Sequence, residues 1–203
     1  MDIKMEPLRR ALGESAEFVH VNGVSPARGE PDTLVHRHHV DKAPSYEWYD
    51  YEGLEDAILY MNEQLQKLGP FDAMLGFSQG AVLMTILAIY YVHKAKQQQQ
   101  ADEQQATTPS HWWKLCISAC GWPDGEKLLV LLPSIHIVGK KDSLHCGSEE
   151  LVHMYAGDAN AAKNCSGVDR VKKLFFEFDE GYQFPPGDKY AAFYGELAKS
   201  IHE

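Results

Sequence analysis

Along the chain, apolar positions recur in two spacings that alternate. Met5, Leu8 and Leu12 are set three and four residues apart, which predicts a short helix over residues 3–13 ending at Gly13. Glu17-Phe18-Val19-His20-Val21 then reads as a strand. Leu54, Ile58, Met61, Leu65 and Leu68 step by four, three, four and three, the spacing of one face of a helix, with Gly69 as its stop and Pro70 beyond. Phe71 to Leu75 is strand-like, and Gln79 to about Lys94 is a long apolar helix. Lys114–Ala119, Ser134–Val138 and Leu174–Phe178 read as buried strands. A helix near Glu149–Tyr155 and a final one capped by Asp188, with Tyr190, Tyr194, Leu197 and Ile201 on one face, complete the pattern. Strands alternating with helices predict an α/β fold: a mostly parallel sheet with helices on both faces, in one domain spanning residues 1–203.

Between these elements lie polar stretches. Residues 22–50 include the cluster His36-Arg37-His38-His39. Its sharper reading is a metal site; the plainer one is a solvated loop, because no cysteine or carboxylate stands at ligand spacing beside it. Residues 97–110 are glutamine-rich without apolar content, as expected of a surface loop, and residues 157–170 are loop-like.

Composition narrows the function. A length of 203 residues with 44% hydrophobic content is enough for one ordinary domain with a full core. A net charge of −10 argues against nucleic acid and anionic membrane as partners. The most apolar run, Ala81–Val92, has the length of a core helix, not of a membrane span, and the polar first residues do not read as a secretory signal. Cys116, Cys120, Cys146 and Cys165 lack zinc spacing, which points to reduced thiols and a cytoplasmic setting.

The chemistry concentrates at Gly76-Phe77-Ser78-Gln79-Gly80, of the form G-x-S-x-G, between a strand and a helix. This is the context of a nucleophile elbow, a strained turn that holds a serine at the end of a sheet. The N–H of Gln79, at the helix start, would face a developing oxyanion. Active-site groups in such sheets lie beyond the carboxyl ends of strands, where Asp142 also stands. By position alone Asp142 is equally a turn or helix-capping aspartate.

Three stretches carry a family resemblance: Tyr51–Asp56, the run from Gly69 to Ala81 with the pattern G-P-F-D-x-x-x-G-F-S-Q-G-A, and Pro133–Asp142. On these the chain resembles the FSH-type serine hydrolases of the α/β-hydrolase superfamily. The resemblance implies a carboxylic ester or thioester hydrolase, in part for apolar acyl groups, needing no cofactor and no metal. It makes Ser78 the nucleophile and Asp142 the acid of a triad. The family's base lies in an H-x-G-G-H-x-x-P segment after the last strand; here residues 179–186 place Gln183 at that position. A glutamine amide is not basic at neutral pH and cannot take the serine proton. His145 and His153 are the other histidines near Asp142, with His145 the closer in sequence. The family's first strand, with its H-G-x-x-Q-N loop, has no counterpart before Met1. Its absence would leave a gap between residues 17–21 and 72–77 or make those two pair, and would expose an edge suited to a homodimer. The competing expectation is a pseudohydrolase that binds an apolar ligand or a protein partner. Phe77, Trp122, Tyr182 and Phe184, beside strand ends, are the expected apolar wall above Ser78.

Overall fold

The structure is a computed structural model, and it describes residues 2–26, 46–49, 53–101, 112–124, 128–157, 171–187 and 189–202. These fall into two compact units, residues 19–69 and the remainder. The elements, in chain order, are α1 (Asp2–Leu12), β1 (Ser25–Pro26), β2 (Tyr46–Glu47), α2 (Leu54–Leu68), β3 (Ala73–Phe77), α3 (Gln79–Ala101), β4 (Leu115–Ala119), β5 (Ser134–Gly139), α4 (His145–His153), β6 (Lys173–Phe178) and α5 (Ala191–His202). Within the smaller unit, β1 and β2 form an antiparallel ladder, and α2 buries Ala57, Met61 and Leu65, spaced by four along one face, while Leu68 of the expected face is exposed. Gly69 ends α2 as its spacing predicts, donating its N–H to Leu65 O at 2.9 Å.

The larger unit is built on one four-stranded sheet in the order β3-β4-β5-β6, every pair parallel. The central strands β4 and β5 are buried along their whole length, as strands covered on both faces must be. Side chains alternate across the sheet. Leu115, Ile117, Ala119, Ile135, Ile137 and Phe178 pack with Met5, Leu8 and Leu12 of α1 and Tyr194, Leu197 and Ala198 of α5 in one core. On the opposite face, α3 and α4 close over residues such as Ser118 and His136: the Ser148 hydroxyl of α4 donates to Gly121 O at 2.8 Å, and the Tyr155 ring stands edge-on to His136. Burial of a single leucine such as Leu8 contributes ~2 kcal/mol. Among the described residues no helix is long and apolar enough to cross a membrane.

The structure departs from the periodicity at particular points. Residues 17–21 form no strand, although Ala16 is extended at φ −139° and ψ 138°. Phe18 packs against the core while Val19 and His20 are exposed, so one anchored side chain accounts for the apolar signal, and no ladder partner is described for it. Residues 17–21 are therefore not paired with β3, which is an edge of the sheet among the described residues. The strand before the elbow runs two residues later than its apolar pattern, to Phe77. α3 continues through Gln97–Ala101, where a loop was expected, because glutamine and alanine sustain a helix in the absence of Gly or Pro. α4 starts at His145, not at Glu149. The histidines at 36–39, Asp188 as a cap and the loop over 158–170 lie outside the described residues.

Candidate active site

Ser78 follows β3 directly and precedes α3, and its φ of 57° lies in the left-handed region that non-glycine residues rarely occupy. It is held there by backbone bonds on both sides. Its N–H donates to Ala119 O on β4 at 2.8 Å, and its own C=O accepts from Ala81 at 2.9 Å and Val82 at 3.2 Å. The turn closes so tightly that a Cβ on Gly76 would lie 2.4 Å from Gly80 O and 2.5 Å from Ala81 N. Only glycine fits at 76, which is why the motif needs one there. Gln79 is the first residue of α3, so its N–H belongs to the positive end of the helix.

The next strand repeats the geometry. Cys120, one residue past β4, has φ 51° and donates its N–H to Ile137 O at 3.1 Å. Its thiol donates to Gln183 O at 3.7 Å. Burial, and then the adjacent Asp142 carboxylate, push the Cys120 pKa up to about 12, so it is a neutral thiol at physiological pH and not a competing nucleophile. In the sequence Cys120 reads only as a reduced thiol; its place at a strand's carboxyl end is the signal that puts it near the site.

Asp142 sits in the loop after β5 and is 6% exposed. Its Oδ1 accepts the Leu144 N–H at 2.9 Å, an Asx-type turn that leads into α4. Its Oδ2 is buried without a hydrogen-bond partner. One oxygen thus serves the turn, and the other is left in the position from which a carboxylate could act on a neighbour. The loops after β5 and β6 are joined: Lys140 N–H donates to Phe178 O and Lys141 N–H to Glu180 O, both at 2.9 Å. Gly139 permits this approach, since a Cβ there would be 2.5 Å from Gly181 O. The joined loops carry Tyr182 and Gln183 past Cys120 and Ser78.

The Tyr182 hydroxyl is hydrogen-bonded to Ser78 Oγ. Its ring lies 5.0 Å from that of Phe77, and Phe77 stacks on Phe184 at 5.3 Å. Of the four expected wall residues, Phe77, Tyr182 and Phe184 therefore form one aromatic group at the serine, with Phe184 buried in the core on the α1 and α5 side. Trp122 lies against Gly147 of α4.

His145 is committed elsewhere. Its Nε2 is 2.8 Å from Glu177 Oε1 and its Nδ1 is 3.6 Å from Glu149 Oε2. The backbone N–H of His145, not its ring, meets Asp142, donating to its carbonyl at 3.1 Å. Among the described residues, His145, Cys146 and Glu149 form a group whose possible ligand atoms lie within 4.8 Å of one another. Cys146 and Glu149 are exposed, and the group lies outside the serine site.

A serine on a left-handed strand–helix turn at the end of a parallel sheet with helices on both faces is the architecture of the α/β-hydrolase fold. A Bacillus cereus carboxylesterase shares this fold with a TM-score of 0.57 at 14% identity, over 98% of this chain and 81% of that one. Within the class, residues 2–166 match the family described as serine hydrolase (FSH1), and the chain belongs to that family. Among its relatives are the proteins called esterase OVCA2 of Homo sapiens, 28% identical over 70% of this chain and 69% of that protein, and of Bos taurus, 32% identical over 73% and 72%.

Proposed function

We propose that the protein hydrolyses a carboxylic ester or thioester with an apolar acyl group, with Ser78 as the nucleophile and Asp142 as the acid residue of the site. The observation that carries this reading is the backbone of Ser78. A non-glycine residue at φ 57° costs on the order of 1–2 kcal/mol, and such strain persists where the surroundings enforce it. Ser78 Oγ attacks the acyl carbon, the carbonyl oxygen becomes an oxyanion facing the Gln79 N–H, and the alcohol or thiol leaves. Water then releases the acid from the acyl-enzyme. The rings of Phe77 and Tyr182 beside Oγ support an apolar acyl group. Because Gln183 is not a base, turnover is slow compared with a complete triad, where loss of the base costs several orders of magnitude.

A second reading is favoured by two observations, Gln183 at the base position and the Tyr182 hydroxyl on Ser78 Oγ. Under it the protein is a pseudohydrolase that binds an apolar ligand or a protein partner at the same site. Free thiols at Cys116, Cys120 and Cys146 support a reducing compartment such as the cytoplasm for either reading. The edge strand β3 supports pairing with a second copy of the chain.

The test is a fluorophosphonate probe on the purified protein. Stoichiometric labelling that disappears in Ser78→Ala is the expected result. A protein that folds and takes up no probe, at neutral or alkaline pH, is the pseudohydrolase.

A further inference from the structure

The seat beside Ser78 Oγ, where a serine hydrolase keeps its base, is not vacant: a phenol hydroxyl holds it. We infer that Tyr182, and not Gln183, is the proton partner of Ser78, its phenolate form accepting the serine proton as Oγ attacks the acyl carbon. This rests on the reading of Ser78 as the nucleophile.

Three observations converge on Tyr182. Its oxygen is the side-chain atom bonded to Ser78 Oγ. Its ring is fixed against Phe77, the residue just before the serine, at 5.0 Å and 53°. Its backbone is fixed too, because Gln183 N–H donates to Gly181 O at 2.8 Å and Lys141 N–H to Glu180 O at 2.9 Å. Gln183, one residue on, is held by a different contact: its carbonyl accepts the Cys120 thiol, and its amide side chain has neither charge nor basicity to offer.

Protons and electrons balance without a further reactant. In acylation the Oγ–H proton passes to the phenolate, the Oγ–acyl bond forms, and the bond to the leaving oxygen or sulfur breaks. The phenol returns the proton to the leaving group. In deacylation, water gives one proton to the phenolate while its oxygen attacks the acyl carbon, and the phenol then reprotonates Ser78. At neutral pH the phenol is protonated and donates to Oγ, which ties up a serine lone pair and leaves the serine weakly nucleophilic.

The groups on the elements around the phenol are these. Phe77 and Phe184 bring no charge. Cys120, from the end of β4, is a neutral thiol, and Asp142, from the end of β5, stands beside Cys120. On the loop of Tyr182 itself, Glu180 is paired with Lys189 at 2.9 Å and Asp179 with Lys140 at 3.0 Å. A phenol accepts a proton only in its ionised form, so this proton transfer grows with rising pH.

The experiment follows p-nitrophenyl ester hydrolysis and fluorophosphonate labelling from neutral pH to beyond pH 10 in wild type, Ser78→Ala and Tyr182→Phe. Phenylalanine keeps the ring on Phe77, and thermal melts verify that each variant is folded. The expected wild-type rate, after subtraction of the Ser78→Ala rate, rises about tenfold per pH unit until the phenol has ionised. Tyr182→Phe is expected to lack this rise and to be at least about 100-fold slower at the alkaline end. If Tyr182→Phe keeps the rise, or becomes faster than wild type, the assignment of Tyr182 is overturned and Ser78 stands. If Ser78→Ala matches wild type throughout, the nucleophile reading itself fails.

Discussion

Asp142 Oδ2 is buried without a hydrogen-bond partner, and the carbonyl of Gln183 accepts the thiol of Cys120, the residue beside Asp142. A buried carboxylate with only the Cys120 thiol beside it lacks a strong donor, and an imidazole at 183 is expected to supply one. Gln183→His is therefore expected to raise ester kcat/KM at pH 7 by about 10²–10⁴, the usual contribution of a positioned general base. The gain should vanish when Asp142→Asn is added, since the imidazole then loses its orienting carboxylate. Steady-state kinetics of the single and double variants checks this; an equal gain in both would mean that Asp142 takes no part.

The elbow makes a prediction about stability. Gly76→Ala puts a methyl group 2.4 Å from Gly80 O and 2.5 Å from the Ala81 backbone, and neither can move without opening the turn. We expect a loss of about 1–3 kcal/mol, as for overpacked sites, together with loss of Ser78 labelling. Urea unfolding measures the first and the fluorophosphonate probe the second.

The strain at Ser78 can be read from the difference between two variants. Ser78→Ala leaves a side chain in the left-handed region, whereas Ser78→Gly relieves it. Both lose the bond from Tyr182. Ser78→Gly is expected to be the more stable of the two by about 1 kcal/mol, measured by denaturant midpoints at constant slope. Equal stabilities would mean that the turn is unstrained.

Acid sensitivity should trace to His136. It is buried in β5, with its Nε2 3.1 Å from the Ser134 hydroxyl. Burial, and then Lys173, lower its pKa from 6.5 to about 3. Between those values the unfolded chain binds a proton that the folded chain does not. Its contribution is thus complete above pH 6.5 and is lost as pH falls towards 3. Relative to His136→Phe, wild type should lose about 2 kcal/mol between pH 6.5 and 5, as urea unfolding at the two pH values would report.

How much of this the sequence reveals depends on the range of the interaction. The glycines and serine of 76–80 act within five residues, so the elbow is legible from the motif and its flanking periodicity. β4 and β5 are buried throughout, and the apolar and β-branched residues Ile117, Ile135, Ile137 and Val138 name them even though Ser118 and His136 interrupt the runs. The Glu17–Val21 run fails because a strand exists only with a partner, and alternation says nothing about partners. The loop expected from Gln97 fails the other way, since its polar composition points to a loop while the propensity of glutamine and alanine favours the helix that continues through Ala101. At the site, Gln183 is visible as a mismatch to a pattern, but the hydroxyl of Tyr182 meeting Ser78 across 104 residues is a fact of tertiary geometry. The Asp142 carboxylate serves a turn through one oxygen, one of the two readings its position in the sequence allows, while its other oxygen is buried.

The backbone bonds that join the loops after β5 and β6 run from Lys140 and Lys141 to Phe178 and Glu180, and Gly139 admits the close approach. None of these depends on which side chain stands at 183. Glutamine and histidine codons differ by a single base, so a mutation at this position would exchange an amide for an imidazole while the chain around it kept its course. The side chain at 183 can therefore change by one base while the backbone bonds that bring its loop to Ser78 and Cys120 stay in place.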